Sequence, residues 1–320
     1  MFIPGSTEAA SLDARMRRSL ADSLAHIHDV AGRELDVSSS AASRACEGIS
    51  NHRIEPGIFG RYYKLVPAIE RGDAAEASRL FRAIADAAET EPTFAVVPFS
   101  EAALGQEQSL YRELVEARPD GSHWLTAPAL DRWNGFDRKV DRALDIIERV
   151  DAPLARELRG LIVRIAGASA VEGHVFGGAS SFMLWGLLIL SVETYGEVSL
   201  LTEGLVHEAA HQLLFAYSID EPLVSNPLAE CYPSPLRRDA RPMDGIYHAT
   251  FVTARLHYWY RKLREAAPEH HSIPIDMIDG KLSTYRDLYW GGSETIEKFG
   301  MLTDTGRRIL DETNDYMKAA

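Results

Sequence analysis

Apolar side chains recur at helical spacing through much of this chain: from Leu12 to Val30, from Tyr62 to Ala87, and in a stripe of Val206, Ala210, Leu213 and Tyr217. The first ninety residues read as helices parted by two loops, residues 38–43 and the segment from Asn51 to Gly60, since small polar residues and glycine bury too little surface to order themselves. Thr93 to Phe99, β-branched and aromatic, predicts a short strand. Leu130 to Gly167 predicts one or two long helices interrupted near Asp151-Ala152-Pro153. The apolar stretch from Ser181 to Val192 fits a buried helix or a strand by periodicity alone. A strand is the reading adopted, because a short sheet beside the next helix would supply an edge for an extended peptide.

Further helices are predicted over Ser199 to Tyr217, from Asp244 as N-cap to about Glu265, and in two or three pieces from Ile275 to Met317. Between Ser218 and Met243 the chain is Pro-rich, and so long an irregular connection is more often functional than idle. The expected fold is mainly α with a small β-sheet (α+β), a zincin-like motif helix in a helical protein. Residues 1–125 are expected to form a mainly helical N-terminal region that recognises a substrate peptide. Residues 126–320 are expected to form a metal-dependent catalytic region with closing C-terminal helices.

The motif is His207-Glu208-Ala209-Ala210-His211. On a helix of 3.6 residues per turn, its two imidazoles lie about one turn apart on one face, where both can reach one metal ion. Glu208 beside them can act on a metal-bound water. Two histidines do not complete a catalytic site, and the third ligand has two candidates. Glu230 follows His211 at a spacing that resembles the glutamate-ligand zinc peptidases, but Pro227 and Pro233 leave it barely a turn of helix. His248, in the first turn of a predicted helix, is preferred: a neutral imidazole adds no charge to a buried site and leaves coordination positions open.

Composition narrows the class of partner. A formal charge of -13 over 320 residues argues against a phosphate backbone as partner, and the basic residues that do cluster, Arg237, Arg238 and Arg241, suit a small anion. Cys46 and Cys231 make no disulfide framework and fit a reducing cytoplasm. The N-terminal stretch lacks a secretion signal, and the longest apolar run, Phe182 to Val192, falls short of the roughly 20 residues of a membrane span. A soluble cytoplasmic protein is expected, with its oligomeric state left open.

The combination VHEAAHQLL, PSPLRRDARPMDG and YHATFVTAR resembles the H-E-x-x-H peptide-modification family of bacterial ribosomally made natural-product pathways. The resemblance is best over about residues 174–265, with an echo at Leu302-Thr303-Asp304-Thr305-Gly306. It implies an iron(II)- and 2-oxoglutarate-dependent peptide β-hydroxylase that uses O2 and acts on a precursor peptide. It implies that His207, His211 and His248 are the iron ligands and that arginines of the Pro-rich segment face the co-substrate. The chemistry is compatible, since three protein ligands leave room for a 2-oxo acid and oxygen. The distal carboxylate needs a cation, for which Arg237, Arg241 and Arg255 are candidates. Glu208 would then orient a ligand or a bound water. The alternative is a zinc metallopeptidase with Glu208 as general base, and the third reading is a non-catalytic peptide-binding protein with a structural metal.

Overall fold

The computed structural model describes residues 2–116, 123–235, 239–271 and 273–320. After α1 (Ser6–Ala31), Ser38 accepts the Ala41 N–H and starts α2 (Ser39–Asn51), whose Ala42, Ala45 and Ile49 are buried. Serine competes with the backbone inside a helix but caps it well at the end, so the loop expected at residues 38–43 is a cap and first turn. The second expected loop narrows to residues 52–55, because Pro56 opens α3 (Pro56–Glu70) at a position where a missing N–H costs nothing. Asp73 then caps α4 (Ala74–Ala87).

The strand expected between Thr93 and Phe99 is β1 (Ala95–Pro98), followed by the short α5 (Glu101–Leu104) and then α6 (Glu107–Glu116), β2 (Leu125–Thr126) and α7 (Leu130–Trp133). The long helical stretch expected from Leu130 to Gly167 is α7, α8 (Phe136–Val150) and α9 (Ala152–Leu161), but its tail is a strand, β3 (Arg164–Ala170). With β4 (Gly178–Ala179) and β5 (Leu187–Ser191) it completes a sheet of order β1-β3-β5-β4, with β2 also on β3. β1, β3 and β5 run parallel, with Val96 opposite Ile165 and Ile165 opposite Leu188. The strand adopted for Ser181 to Val192 thus forms over Leu187–Ser191, and it is internal. Paired with β3 and β4 and buried throughout, β5 offers no edge to a peptide.

The chain divides into two compact units, each assembled from separated stretches. Ala10–Arg138 with Leu161–Gly196 forms the sheet-containing unit, and the boundary expected near residue 125 falls inside it. Its core gathers Phe99, Leu104, Tyr111, Leu125, Ala166 and Ile189. The other unit, Met1–Ala9, Lys139–Gly160 and Glu197–Ala320, contains α10 (Val198–Tyr217), the two-stranded ribbon of β6 (Cys231–Tyr232) and β7 (Arg241–Pro242), α11 (Met243–Glu265), α12 (Ile275–Phe299) and α13 (Asp304–Ala319). The protein is mainly α with a small β-sheet. Among the described residues, no helix is long and apolar enough to cross a membrane.

Close approach of neighbouring segments explains two glycines of the second unit. A Cβ on Gly292 of α12 would lie 2.1 Å from Thr250 Oγ1 on α11, and one on Gly306 would lie 1.9 Å from the Leu223 carbonyl oxygen. Gly306 also donates its N–H to the Thr303 side chain that caps α13. The Leu302-to-Gly306 segment is therefore a helix start whose glycine admits a neighbouring backbone.

His257, buried on α11, has Nδ1 3.0 Å from the Tyr316 hydroxyl and no partner at Nε2. Burial, then the charges of Arg286 and Arg261, pull its pKa from 6.5 down to about 4. The unfolded chain takes up this proton first, so the contribution to stability is complete above the unfolded pKa and lost as pH falls toward the folded one. The full loss is about 3 kcal/mol. Urea unfolding between pH 7 and pH 4 is expected to show this fall and His257→Gln to lessen it; equal slopes for the two proteins would refute the assignment.

Candidate metal site on the motif helix

Helix α10 carries a denser apolar sequence than a surface helix needs, and it is enclosed on nearly every side. From Leu201 to Tyr217 only Glu203, His207, His211 and Phe215 are less than buried. These positions recur every fourth residue, so a single open stripe runs along the helix. The predicted apolar positions Val206, Ala210, Leu213 and Tyr217 are buried as expected. Burial extends well beyond them, to Glu208 and Gln212 among others.

Both motif histidines lie on the stripe, with ring centroids 5.2 Å apart and planes tilted by 60°. From α11, His248 meets the second of them. Its ring lies 5.4 Å from that of His211 at 16°, and the two Nδ1 atoms are 3.2 Å apart. Phe215, one turn after His211 on α10, also meets the His248 ring, at 5.2 Å between centroids. Pro242 occupies the N-cap position of α11, so Asp244, expected there, sits in the first turn instead. Its Oδ1 is 3.9 Å from His248 Nε2.

Burial holds His211 far below the usual imidazole range, reinforced by His207 and His248. Burial also lowers His248, against a smaller upward pull from Asp244. Both rings are thus neutral near pH 7, the form that donates a lone pair to a metal. Two nitrogens 3.2 Å apart subtend about 100° at an ion held about 2.1 Å from each, an angle suited to tetrahedral or octahedral geometry. The donor chemistry fits a divalent ion at this pair. Among the described residues, no group of three or more His, Cys, Asp or Glu side chains is already gathered to hold one. His207, with its side chain 40% exposed, stands one ring away from the pair.

The other predicted residues are dispersed. Glu208 is buried off the stripe, with Oε1 3.9 Å from His207 Nε2. Glu230 is exposed just before β6 and accepts the Tyr232 hydroxyl at 2.6 Å, so it is not brought to the histidines. Arg237 lies outside the described residues, as does Arg238. Arg241 is half-buried on β7, immediately before α11. Arg255 is 2% exposed; it donates to Glu157 and to the Phe2 carbonyl and lies 5.8 Å from the Phe2 ring. Its place is in the core, which corrects the co-substrate role expected of it.

Sequence reading missed a second polar cluster on the stripe. Glu203, one turn before His207, accepts from Lys281 Nζ at 2.8 and 3.0 Å, from Tyr285 at 2.7 Å and from Tyr260 at 2.5 Å. Burial raises its pKa, but these hydrogen bonds outweigh it and leave the carboxyl below its ordinary value. The four-residue step from Glu203 to His207 was the signal available in the sequence. No protein-family model and no curated protein matches the chain.

Proposed function

We propose that the protein is a cytoplasmic iron(II)- and 2-oxoglutarate-dependent peptide hydroxylase, with His207, His211 and His248 as the metal ligands. The observation that carries this reading is the approach of His248 to His211 on the one open stripe of the motif helix, while Glu230 is held elsewhere. A three-histidine set suits iron(II) and leaves coordination positions for a 2-oxo acid and oxygen. When bound, the iron supplies oxygen activation: O2, 2-oxoglutarate and a substrate C–H give C–OH, succinate and CO2.

The chain's own residues bind and orient. His211 and His248 offer neutral nitrogens from α10 and α11, and His207 joins them by a side-chain rotation along the stripe. Buried Glu208 steadies His207 and is not assigned as a base. Arg241 is the cation retained for the distal carboxylate of the co-substrate, and the open stripe admits an extended peptide. No nucleic-acid or membrane partner is proposed.

The test uses iron(II) and 2-oxoglutarate without oxygen. A bidentate 2-oxo acid on iron(II) gives a visible charge-transfer absorption, and admitting O2 should then yield succinate. Absence of that absorption, with peptide cleavage by the zinc-loaded protein that Glu208→Gln abolishes, would instead establish the metallopeptidase.

A further inference from the structure

A metal-bound imidazole is most useful when its second nitrogen is also held, because that fixes both the ring orientation and the tautomer. His248 has its two nitrogens in different surroundings. Nδ1 faces His211 Nδ1 at 3.2 Å, while Nε2, on the far edge of the ring, faces Asp244 Oδ1 at 3.9 Å. Phe215 at 5.2 Å and His211 at 5.4 Å, successive residues of the α10 stripe, both pack against the ring. Asp244 lies one turn before His248 on α11, and its side chain is 51% exposed against 11% for His248. An exposed carboxylate contributes little to folding through such a pair. Its placement at the mouth of a buried imidazole is where an orienting carboxylate belongs.

We propose that Asp244 is a positioning residue for the metal site: it takes the Nε2 proton of His248 as a hydrogen bond, leaving the Nδ1 lone pair directed at the ion shared with His211. The carboxylate closes the remaining distance by rotation of its side chain, which is half exposed. Asp244 does not ligate the ion, since it lies on the edge of the ring opposite the His211 contact. This rests on the metal reading above and adds the component that determines which histidine nitrogen is used.

Cobalt(II) is the probe, because its visible spectrum reports coordination geometry independently of turnover. Affinity is measured by spectral titration of the full chain. Asp244→Ala is expected to weaken cobalt binding about 10- to 100-fold while the saturated spectrum stays as in the wild type. Asp244→Asn, whose amide oxygen still accepts from Nε2–H, should fall between the two. Asp239→Ala, which removes an exposed charge from the segment leading into β7, should bind as the wild type does.

Affinity of Asp244→Ala within about threefold of the wild type would overturn the assignment. So would an equal loss in Asp239→Ala, which would mark a general charge effect, or a changed saturated spectrum, which would make Asp244 a ligand. Failure of the wild type to bind cobalt at all would remove the metal reading itself, an outcome distinct from the others. Because Asp244 is exposed, thermal melts of the metal-free variants are expected to match the wild type, and Asp244→Asn preserves the side-chain shape as a second folded comparison.

Discussion

His211→Ala is expected to leave the protein folded and to lower its affinity for a divalent ion by at least about a hundredfold, more than loss of an outer partner would. His211 is the central member of the candidate site, one helical turn from His207 and 3.2 Å from His248 through Nδ1. Removing it leaves no two imidazoles at ligand spacing among the contacts described. His248→Ala should behave similarly, whereas Glu230→Gln should be neutral, because Glu230 is exposed and engaged by Tyr232. The measurement is bound metal after anaerobic iron loading and gel filtration, paired with the rise in melting temperature. An ion at a hundred times its dissociation constant stabilises the folded state by about 2.7 kcal/mol, a rise that should disappear in His211→Ala and His248→Ala. Full metal retention by His248→Ala, with loss in Glu230→Gln, would reverse the choice of third ligand.

Arg255→Met is expected to cost about 3–5 kcal/mol of stability, the range for breaking a buried ion pair by removing one partner. Arg255 and Glu157 are 2% and 3% exposed, so the substitution strands a carboxylate in the core and also removes the donor to the Phe2 carbonyl. Burial raises the pKa of Glu157, while Arg255 opposes that shift. Without the guanidinium, the carboxyl is pushed further toward its neutral form. Replacing both partners, Arg255→Leu with Glu157→Leu, should recover much of the loss. Urea unfolding gives the free energies. The 2-oxoglutarate titration of the folded variant separates this role from the one sequence suggested: unchanged co-substrate affinity is expected, and weakened affinity with intact stability would restore Arg255 to the site.

The two roles of Arg255 show where sequence reading stops. Its position two turns beyond His248 was legible, but its partner lies 98 residues away in the chain, and no local pattern announces that pairing. The serines at the start of α2 misled for a related reason. Their composition suits a loop, yet Ser38 spends its hydroxyl on a cap and the alanines behind it pack, so burial supplied by neighbouring helices decided the state. β5 was correctly read as a strand, but its internal place depends on pairing with β3 and β4, set by segments that precede it in the chain.

By itself, the sequence determined the helical class, the helix holding His207 and His211, the helix that follows with His248, and closing helices from Ile275 to Met317, two or three by periodicity and two in the structure, α12 and α13. These are written in the 3.6-residue period and in residues one turn apart. Tertiary structure decided which histidine nitrogens face one another and that, from Leu201 to Tyr217, the motif helix opens only along Glu203, His207, His211 and Phe215. It also placed Arg255 in the core and Glu230 at the surface. Periodicity specifies the face on which a side chain lies, whereas the neighbour on that face is chosen by packing between segments distant in the chain.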